Sequence, residues 1–434
     1  MLNLLGLLVV IGTVVLLVRR AEVRLVLLGS GFLLALLAGQ PLLVFDTFGR
    51  AMVAGLVAPI CAAMGFAQVM KATGCDKHLV ELLARPLRKS KKALIPGTIL
   101  AAFLVNAAVP SQASTAAAVG PIFVPLLIAA GLSLSQAGAA IILGASFGGD
   151  LLNPAAQDPL AIAGTTGLNA AVIQGKAWPA CLAGAVVAAL VFSWRISKHP
   201  NEPAESLESE QVQLEKLSVA KALVPLLPLA LLLGAYLGFS PLAWLTQTPT
   251  GPEWEDVASG LPVVRAMLLG VVAVAMVCWR DARSVGRYLF EGMGEAYASI
   301  ISLTITAQCF GAGLAAVGLA DMILSVVGDR THLAVAVAVL FPMALSLISG
   351  SGSGPVLTFA QTLLTKMGAA HNPERLAALA SLSGGFGRTL SPVSAVVIYT
   401  SGLVRCDPRE VLRWVWLPLG CGALVSFILA GLAP

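Results

Sequence analysis

Runs of about twenty apolar residues recur along this chain, and several are broken in the middle by glycine, proline and hydroxyl residues. LNLLGLLVVIGTVVLLV (Leu2 to Val18) and LVLLGSGFLLALLAG (Leu25 to Gly39) are largely unbroken. VNAAVPSQAST (Val105 to Thr115), GASFGGDLLNP (Gly144 to Pro154), SGSGSGP (Ser349 to Pro355) and SGGFGRTLSP (Ser383 to Pro392) interrupt others. About 20 helical residues cross a hydrocarbon layer of roughly 30 Å. Lipid offers no hydrogen bonds, so broken helix at that depth must be buried in protein or line a cavity. The pattern therefore predicts an all-α, polytopic membrane protein. Only 11% of residues are charged, against about 25% in soluble domains.

The remaining composition excludes other classes. The first apolar run has no basic segment before it and no small-x-small site followed by a polar chain, so it reads as a span and not as a signal peptide. The seven cysteines lie mostly in apolar segments without close pairing, and the four histidines are scattered near helix ends. Neither a disulfide framework nor a zinc site is indicated, and no metal site is assigned. The net charge of +5 matters for its placement in loops and not as an attraction for nucleic acid.

Short basic loops stay cytoplasmic. Lys71 to Lys92 carries seven Lys/Arg, and Arg280, Arg283 and Arg287 mark a second such loop. The mixed-charge segment Arg195 to Lys221 reads as a cytoplasmic linker. SPLAWLTQTPTGPEWEDVASG (Ser240 to Gly260) has three acids and no base, and its Trp244 and Trp254 suit the outer interface; Arg265 beyond it points the other way. The resulting path has spans near 2–18, 24–44 and 51–70, an interfacial helix at 75–90, an interrupted stretch at 93–130, a broken helix at 136–165 and a span at 170–194. The second half repeats the plan at 221–239, 263–279 and 294–314, then a short helix at 317–328, an interrupted stretch at 331–367, a broken helix at 374–404 and a last span at 411–431. Taken as re-entrant hairpins, the interrupted stretches leave ten crossings with both termini outside, periplasmic in a bacterial inner membrane. Two full spans in place of each hairpin satisfy the same charges.

The halves resemble one another. MGFAQVMKATGCDKHLVELL (Met64 to Leu83) matches CFGAGLAAVGLADMILSVVG (Cys309 to Gly328), and GASFGGDLLNP matches SGGFGRTLSP. SQAST (Ser111 to Thr115) falls opposite SGSGSG (Ser349 to Gly354). An odd number of crossings in the first half inverts the second. The expected organisation is a first inverted repeat at 1–194, a cytoplasmic linker at 195–221 and a second repeat at 222–434. Inverted repeats with breaks in matching places are the pattern of secondary transporters, whose substrate site lies at the repeat interface. A channel or a membrane enzyme shares the hydropathy but has no need of paired symmetry.

Each break offers groups that suit a polar ligand. The first hairpin and broken helix supply Asn106, Ser111, Gln112, Ser114, Thr115 and Asn153 as candidate substrate contacts. The second half supplies Ser349, Ser351, Ser353, Gly354, Arg388, Thr389, Ser391 and Ser394. Glycines at a hairpin tip let backbone amides approach a ligand, although small residues also serve close helix packing. Asp150 is the only acid read within either central helix break, and Arg388 is its near-equivalent in the other repeat. Charges inside a membrane usually face a cavity or a partner, so the two either form a structural pair or serve ligands. One guanidinium, with helix N-termini resuming near Asn153–Pro154 and Ser391–Pro392, suits a substrate with two carboxylates. Asp150 is the candidate for a coupling ion.

GFGRTLSPVSAVVIYTSGLVRCDPREVLRWVWLPLG, the SGSGSGP hairpin and PLRKSKKALIPG (Pro86 to Gly97) together resemble the anaerobic C4-dicarboxylate carriers of the DcuC type. That family sits within a wider ion-transporter superfamily of citrate and sodium–dicarboxylate carriers. The resemblance runs through nearly the whole chain and is weakest in the linker. It implies a secondary carrier, not an enzyme, for succinate, fumarate, malate or aspartate, working by exchange, efflux or uptake coupled to Na+ or H+. It also implies a homodimer in the inner membrane, lipid contact, no cofactor, and an elevator motion of the hairpin-bearing parts. The Ser-Asn-Thr-like hairpin tips of the superfamily are replaced here by SQAST and SGSGSG, with Asn106 displaced upstream. A citrate or acidic amino acid carrier, or an anion channel, remains the alternative.

Overall fold

The computed structural model describes residues 2–432 except 20, 56, 89–90, 110, 154–155, 199–216, 237, 248, 250–259, 329 and 368–370. Most of the linker, Pro110, Pro154 and Trp254 therefore lie outside the described residues. The described residues form helices and no strand. The first half comprises α1 (Leu2–Val18), α2 (Val23–Leu37), α3 (Leu42–Met52), α4 (Val57–Thr73), α5 (Cys75–Leu87), α6 (Lys91–Ala108), α7 (Gln112–Ala129), α8 (Leu134–Ser146), a 3-10 turn at Gly149–Leu152, α9 (Gln157–Thr166) and α10 (Ala170–Lys198). The second comprises α11 (Val219–Leu223), α12 (Leu227–Tyr236), α13 (Leu261–Val277), α14 (Ala282–Ala296), α15 (Ser302–Ala316), α16 (Leu319–Val327), α17 (Thr331–Ser349), α18 (Ser353–Phe359), α19 (Thr365–Met367), α20 (Pro373–Leu390), α21 (Ala395–Leu403) and α22 (Pro408–Leu432).

Local chemistry sets the boundaries. Ser133 and Gln136 form a reciprocal capping box at α8. Asn372 accepts from the Arg375 N–H at the start of α20, where Pro373 takes a position whose N–H has no helical partner. Gly74 and Gly318, at matching places in the halves, adopt φ of 71° and 75° and turn the chain into the short helices α5 and α16. Left-handed backbone at such turns is open to glycine at no steric cost.

Two segments differ from the sequence expectation. Residues 24–44 and 51–70 become three helices, because the amphipathic α3 separates from α2 and meets α4 at a bend of 49°. The span expected at 294–314 is the end of a 35-residue helix, Ala282–Ala316, continuous through a π-helical segment at Tyr297–Ile301. Arg283 and Arg287 are therefore helical, and Arg287 pairs with Glu291 at 2.7 Å one turn on. Averaged hydropathy hides such an amphipathic extension. Among the described residues, five helices are long and apolar enough to cross a bilayer, or up to eight if each bent pair counts once. The expected ten also include short apolar helices such as Leu4–Leu17 and Leu261–Val277. Arg265 is occupied by three carbonyls, of Trp244, Leu245 and Gln247, so it ties down the 3-10 turn at Ser240–Leu245.

The packing repeats when the halves are exchanged. α2 lies along α15 and α13 along α4; α3 meets α15 and α14 meets α4; α1 pairs with α2 as α12 does with α13. The equivalent helices α10 and α22 pack on each other. They cross at glycines: a Cβ on Gly184 would lie 2.8 Å from the Gly422 carbonyl oxygen, and one on Gly422 2.5 Å from that of Gly184. Phe147 and Phe386, matched in the FGGD and FGR motifs, meet with ring centroids 5.4 Å apart. The broken helices form the centre. In α8 every residue from Gln136 to Ser146 is buried, and α20 is buried over most of Leu376 to Thr389. Their alanine, glycine and serine content allows neighbouring backbones to approach closely. The outer helices instead expose large apolar side chains such as Leu8, Leu190, Met276 and Ile428, as lipid contact requires.

Candidate functional site

Four chain interruptions converge on one region. The first hairpin turns between α6 and α7, where Ser111 caps α7 by accepting from the Ser114 N–H. The second turns after Gly350, whose φ of 71° ends α17, and resumes at Ser353. Each broken helix is pressed against the first arm of a hairpin by the glycine before its charged residue. A Cβ on Gly149 would lie 2.2 Å from the Phe103 carbonyl oxygen in α6; one on Gly387 would lie 2.4 Å from that of Met343 in α17. Contacts below 3.0 Å with backbone exclude a side chain without movement.

Several candidate residues are engaged within the protein. Asn106 accepts from the Asp150 N–H at 2.9 Å and donates to Val109 O at 3.3 Å and to Thr115 Oγ1 at 3.2 Å. Asn153 donates to Ala107 O at 2.8 Å, and its carbonyl accepts from Gln174. These bonds satisfy buried amides at the break, which would otherwise carry the full cost of desolvation. Thr389 donates to Gly385 O and is buried in α20. Ser391 and Ser394 are buried with hydroxyls that have no partner among the described residues. Both follow α20, and neither lines the main cavity.

The main cavity at these breaks has a volume of about 310 Å³ and is reached by all four interruptions. Ser111, Gln112 and Ser114 enter it from the first turn of α7, and Ser351 and Ser353 from the second hairpin. Arg388 enters from α20 and Asp150 from the 3-10 turn. Ser349 and Gly354 instead face an apolar cavity between α1, α2, α15 and the second hairpin. Within the second hairpin Ser349 Oγ accepts from the Ser351 N–H at 3.3 Å.

The Arg388 guanidinium forms no ion pair or hydrogen bond with any described residue, and its Nε is buried. Both side-chain amide atoms of Gln112 are also buried without a partner among the described residues. Asp150 and Arg388 are thus near enough to act on one another electrostatically but are not a bonded structural pair.

Four polar cavity residues escape the sequence reading: Gln157, Asp158, Glu295 and Ser299. Asp150 is not the only acid at the first break. The helix resumes only at Gln157, three residues beyond Pro154, so Asp158 sits in the first turn of α9. It is buried and within the field of Arg388. Ser353 Oγ donates to Gln157 Oε1 at 3.4 Å, joining the second hairpin to the first broken helix. The polar QDP following GGDLLNPAA was the available signal for both residues. Glu295 and Ser299 face the cavity from the π-helical region, which no local motif announces.

A multi-pass helical fold built on paired hairpins and broken helices around a cavity carrying charged and hydroxyl side chains is that of a membrane transporter. The MtrF protein of Neisseria gonorrhoeae, described as one of a class of antimetabolite efflux pumps, superimposes with a TM-score of 0.63 at 16% identity, over 89% of this chain and 82% of that one. Residues 46–433 match the C4-dicarboxylate anaerobic carriers, and the chain belongs to this DcuC family. The anaerobic C4-dicarboxylate transporter DcuC of Escherichia coli K12 is 24% identical over 379 residues, 84% of this chain and 78% of the relative. An uncharacterised transporter of Haemophilus influenzae is 44% identical over 130 residues, 30% of this chain and 90% of that one.

Proposed function

We propose that this protein is a secondary carrier for C4-dicarboxylates such as succinate, fumarate, malate or aspartate in a bacterial inner membrane. The observation that carries the reading is the Arg388 guanidinium, without an ion-pair or hydrogen-bond partner among the described residues, in a polar-lined cavity reached by both hairpins. A guanidinium presents two parallel N–H donors to a carboxylate. The first turn of α7, with Ser111, Gln112 and Ser114, brings backbone N–H groups and hydroxyls to the same cavity, where a helix N-terminus favours negative charge. A second substrate carboxylate fits there while the first is held by Arg388.

The division of contacts supports alternating access by an elevator motion. α6 to α10 pack with α17 to α22, whereas α1 to α4 pack with α12 to α15. The exchangeable contact pattern supports two inverted repeats, the first within 1–194 and the second within 222–434, with the site between them. The homodimer implied by the family resemblance and the periplasmic termini expected from loop charge belong to this reading, and native mass determination of the purified protein tests the dimer. Reconstituted uptake across succinate, fumarate, malate, aspartate and citrate tests the substrate class. Uptake of the four-carbon diacids with no citrate transport is the expected result; a preference for citrate refutes it.

A further inference from the structure

The described charged groups facing the main cavity are Asp150, Asp158, Glu295 and a single base, Arg388. A dianion entering an acid-rich site meets repulsion unless positive charge enters with it. Asp150 and Asp158 stand on different elements, the 3-10 turn and α9, yet both lie within the field of the same guanidinium. A smaller cavity of about 10 Å³ touches both aspartates, Arg388, Gln112 and Ser146. That is room for about one water-sized particle. Gln112 and Ser146 are each more than nine-tenths buried, and their side-chain polar atoms have no partner among the described residues. This region is built to bind something small and polar beside the acids.

We propose that Asp158 is the second member of a proton-accepting pair with Asp150, so that a dicarboxylate binds together with a proton held on that pair. The inference rests on the dicarboxylate reading above. Two carboxylates sharing one guanidinium compete with the substrate for it. Protonating either one leaves a single carboxylate competing for Arg388 and so strengthens the hold of Arg388 on the substrate. The pair titrates as a unit, so the proton belongs to neither residue alone. A hard metal cation needs several oxygen ligands, and here part of the wall is a guanidinium of the same sign. A proton needs only one carboxylate oxygen.

The surroundings leave the pair as the responsive group. α20 supplies Arg388, and α18 supplies the Ser353 hydroxyl. α10 supplies Cys181, beside Asp150, and Lys176, which is paired with Glu374 at 3.7 Å. α14 supplies Glu295 across the main cavity. The π-helical turn after α18, Ala360–Leu364, has no titratable side chain.

The test measures succinate affinity and proton uptake on binding by purified, detergent-solubilised protein from about pH 5 to about pH 8. In the wild type, affinity should fall by about tenfold per pH unit once the pair is ionised, since one proton is linked to each bound substrate. Asp158→Asn holds one member permanently neutral. It should bind succinate at the alkaline end about tenfold or more tightly than the wild type does, with a flat profile and no proton uptake. Asp158→Glu should restore the slope, and thermal unfolding of both variants verifies folding. A folded Asp158→Asn protein that keeps the wild-type slope and proton uptake overturns the assignment. So does wild-type binding that requires sodium and takes up no proton. If the folded wild type binds no dicarboxylate at any pH, the dicarboxylate reading itself falls, and this assignment with it.

Discussion

Arg388 reaches the cavity without a bonded partner among the described residues, and that isolation determines what its replacement should do. Truncating one partner of a desolvated, hydrogen-bonded charge pair costs about 2–5 kcal/mol, whereas an exposed pair is worth about 0–1 kcal/mol. Arg388→Ala should therefore weaken succinate binding about 30-fold or more, and Arg388→Lys should weaken it strongly too, because an ammonium cannot reproduce the bidentate geometry. Both variants should remain inserted and folded. Calorimetric affinity and thermal stability of Arg388→Ala, Asp150→Asn and the double variant separate two roles. A structural ion pair would destabilise each single variant and recover in the double; a ligand role leaves stability near wild type and affinity lost wherever Arg388 is absent. Asp150→Asn should also abolish pH-driven accumulation in proteoliposomes while exchange persists.

Hairpins and broken helices hold their positions by backbone contact. Gly149 and Gly387 lie against carbonyl oxygens that leave no space for a methyl group. Overpacking of this kind costs about 1–3 kcal/mol, so Gly149→Ala and Gly387→Ala should lower the melting temperature by a few degrees. Gly385→Ala in the same helix, which would meet nothing within 4 Å, is the control and should melt with the wild type. Cysteine at Ser111 or Ser351 should react with small thiol reagents and be protected by succinate. Absence of labelling from either side would remove these positions from a solvent-reachable cavity. Ser353 is buried and bonded to Gln157, so leucine there should stop transport without unfolding the protein.

Helix α5 carries a pH dependence of its own. His78 Nδ1 accepts from the Ser218 N–H at 3.3 Å, tethering the start of α11. Burial and the nearby Lys221 charge push the histidine below its usual range. A lowered pKa means that neutral His78 contributes stability above about pH 6.5, and the contribution is lost as pH falls through the folded-state value. Amide protection factors at residues 217–223, taken relative to the intrinsic exchange rate at each pH, should fall on acidification, and a His78→Gln variant should lack that fall.

At the scale of the whole molecule, the carrier reading concerns coupling between the two faces of the membrane. A site exposed alternately to each side exchanges substrate faster than it performs net flux. External fumarate should therefore accelerate efflux of labelled succinate from proteoliposomes. Flux indifferent to substrate on the opposite side would favour an anion channel. The cavity supports the first outcome, since polarity is concentrated at four breaks rather than spread along a pore.

The sequence by itself determined that this chain forms helices in a membrane, because lipid requires backbone hydrogen bonds to be satisfied within a segment. It also located the four interruptions, since glycine and proline act on local backbone geometry whatever the surroundings, and it singled out Asp150 and Arg388 as charges in an apolar chain. Segment ends were less legible: amphipathic α3 and the long helix through Ala282–Ala316 depend on neighbours that cover one face. Only the tertiary structure decided which hydroxyls and amides meet. Asn106, Thr115 and Asn153 turn inward to satisfy backbone at the break, while Gln157, Asp158, Glu295 and Ser299 come to the cavity from elements distant in sequence. Side-chain type shows what a residue can bond, but packing between distant helices sets which partner lies within reach.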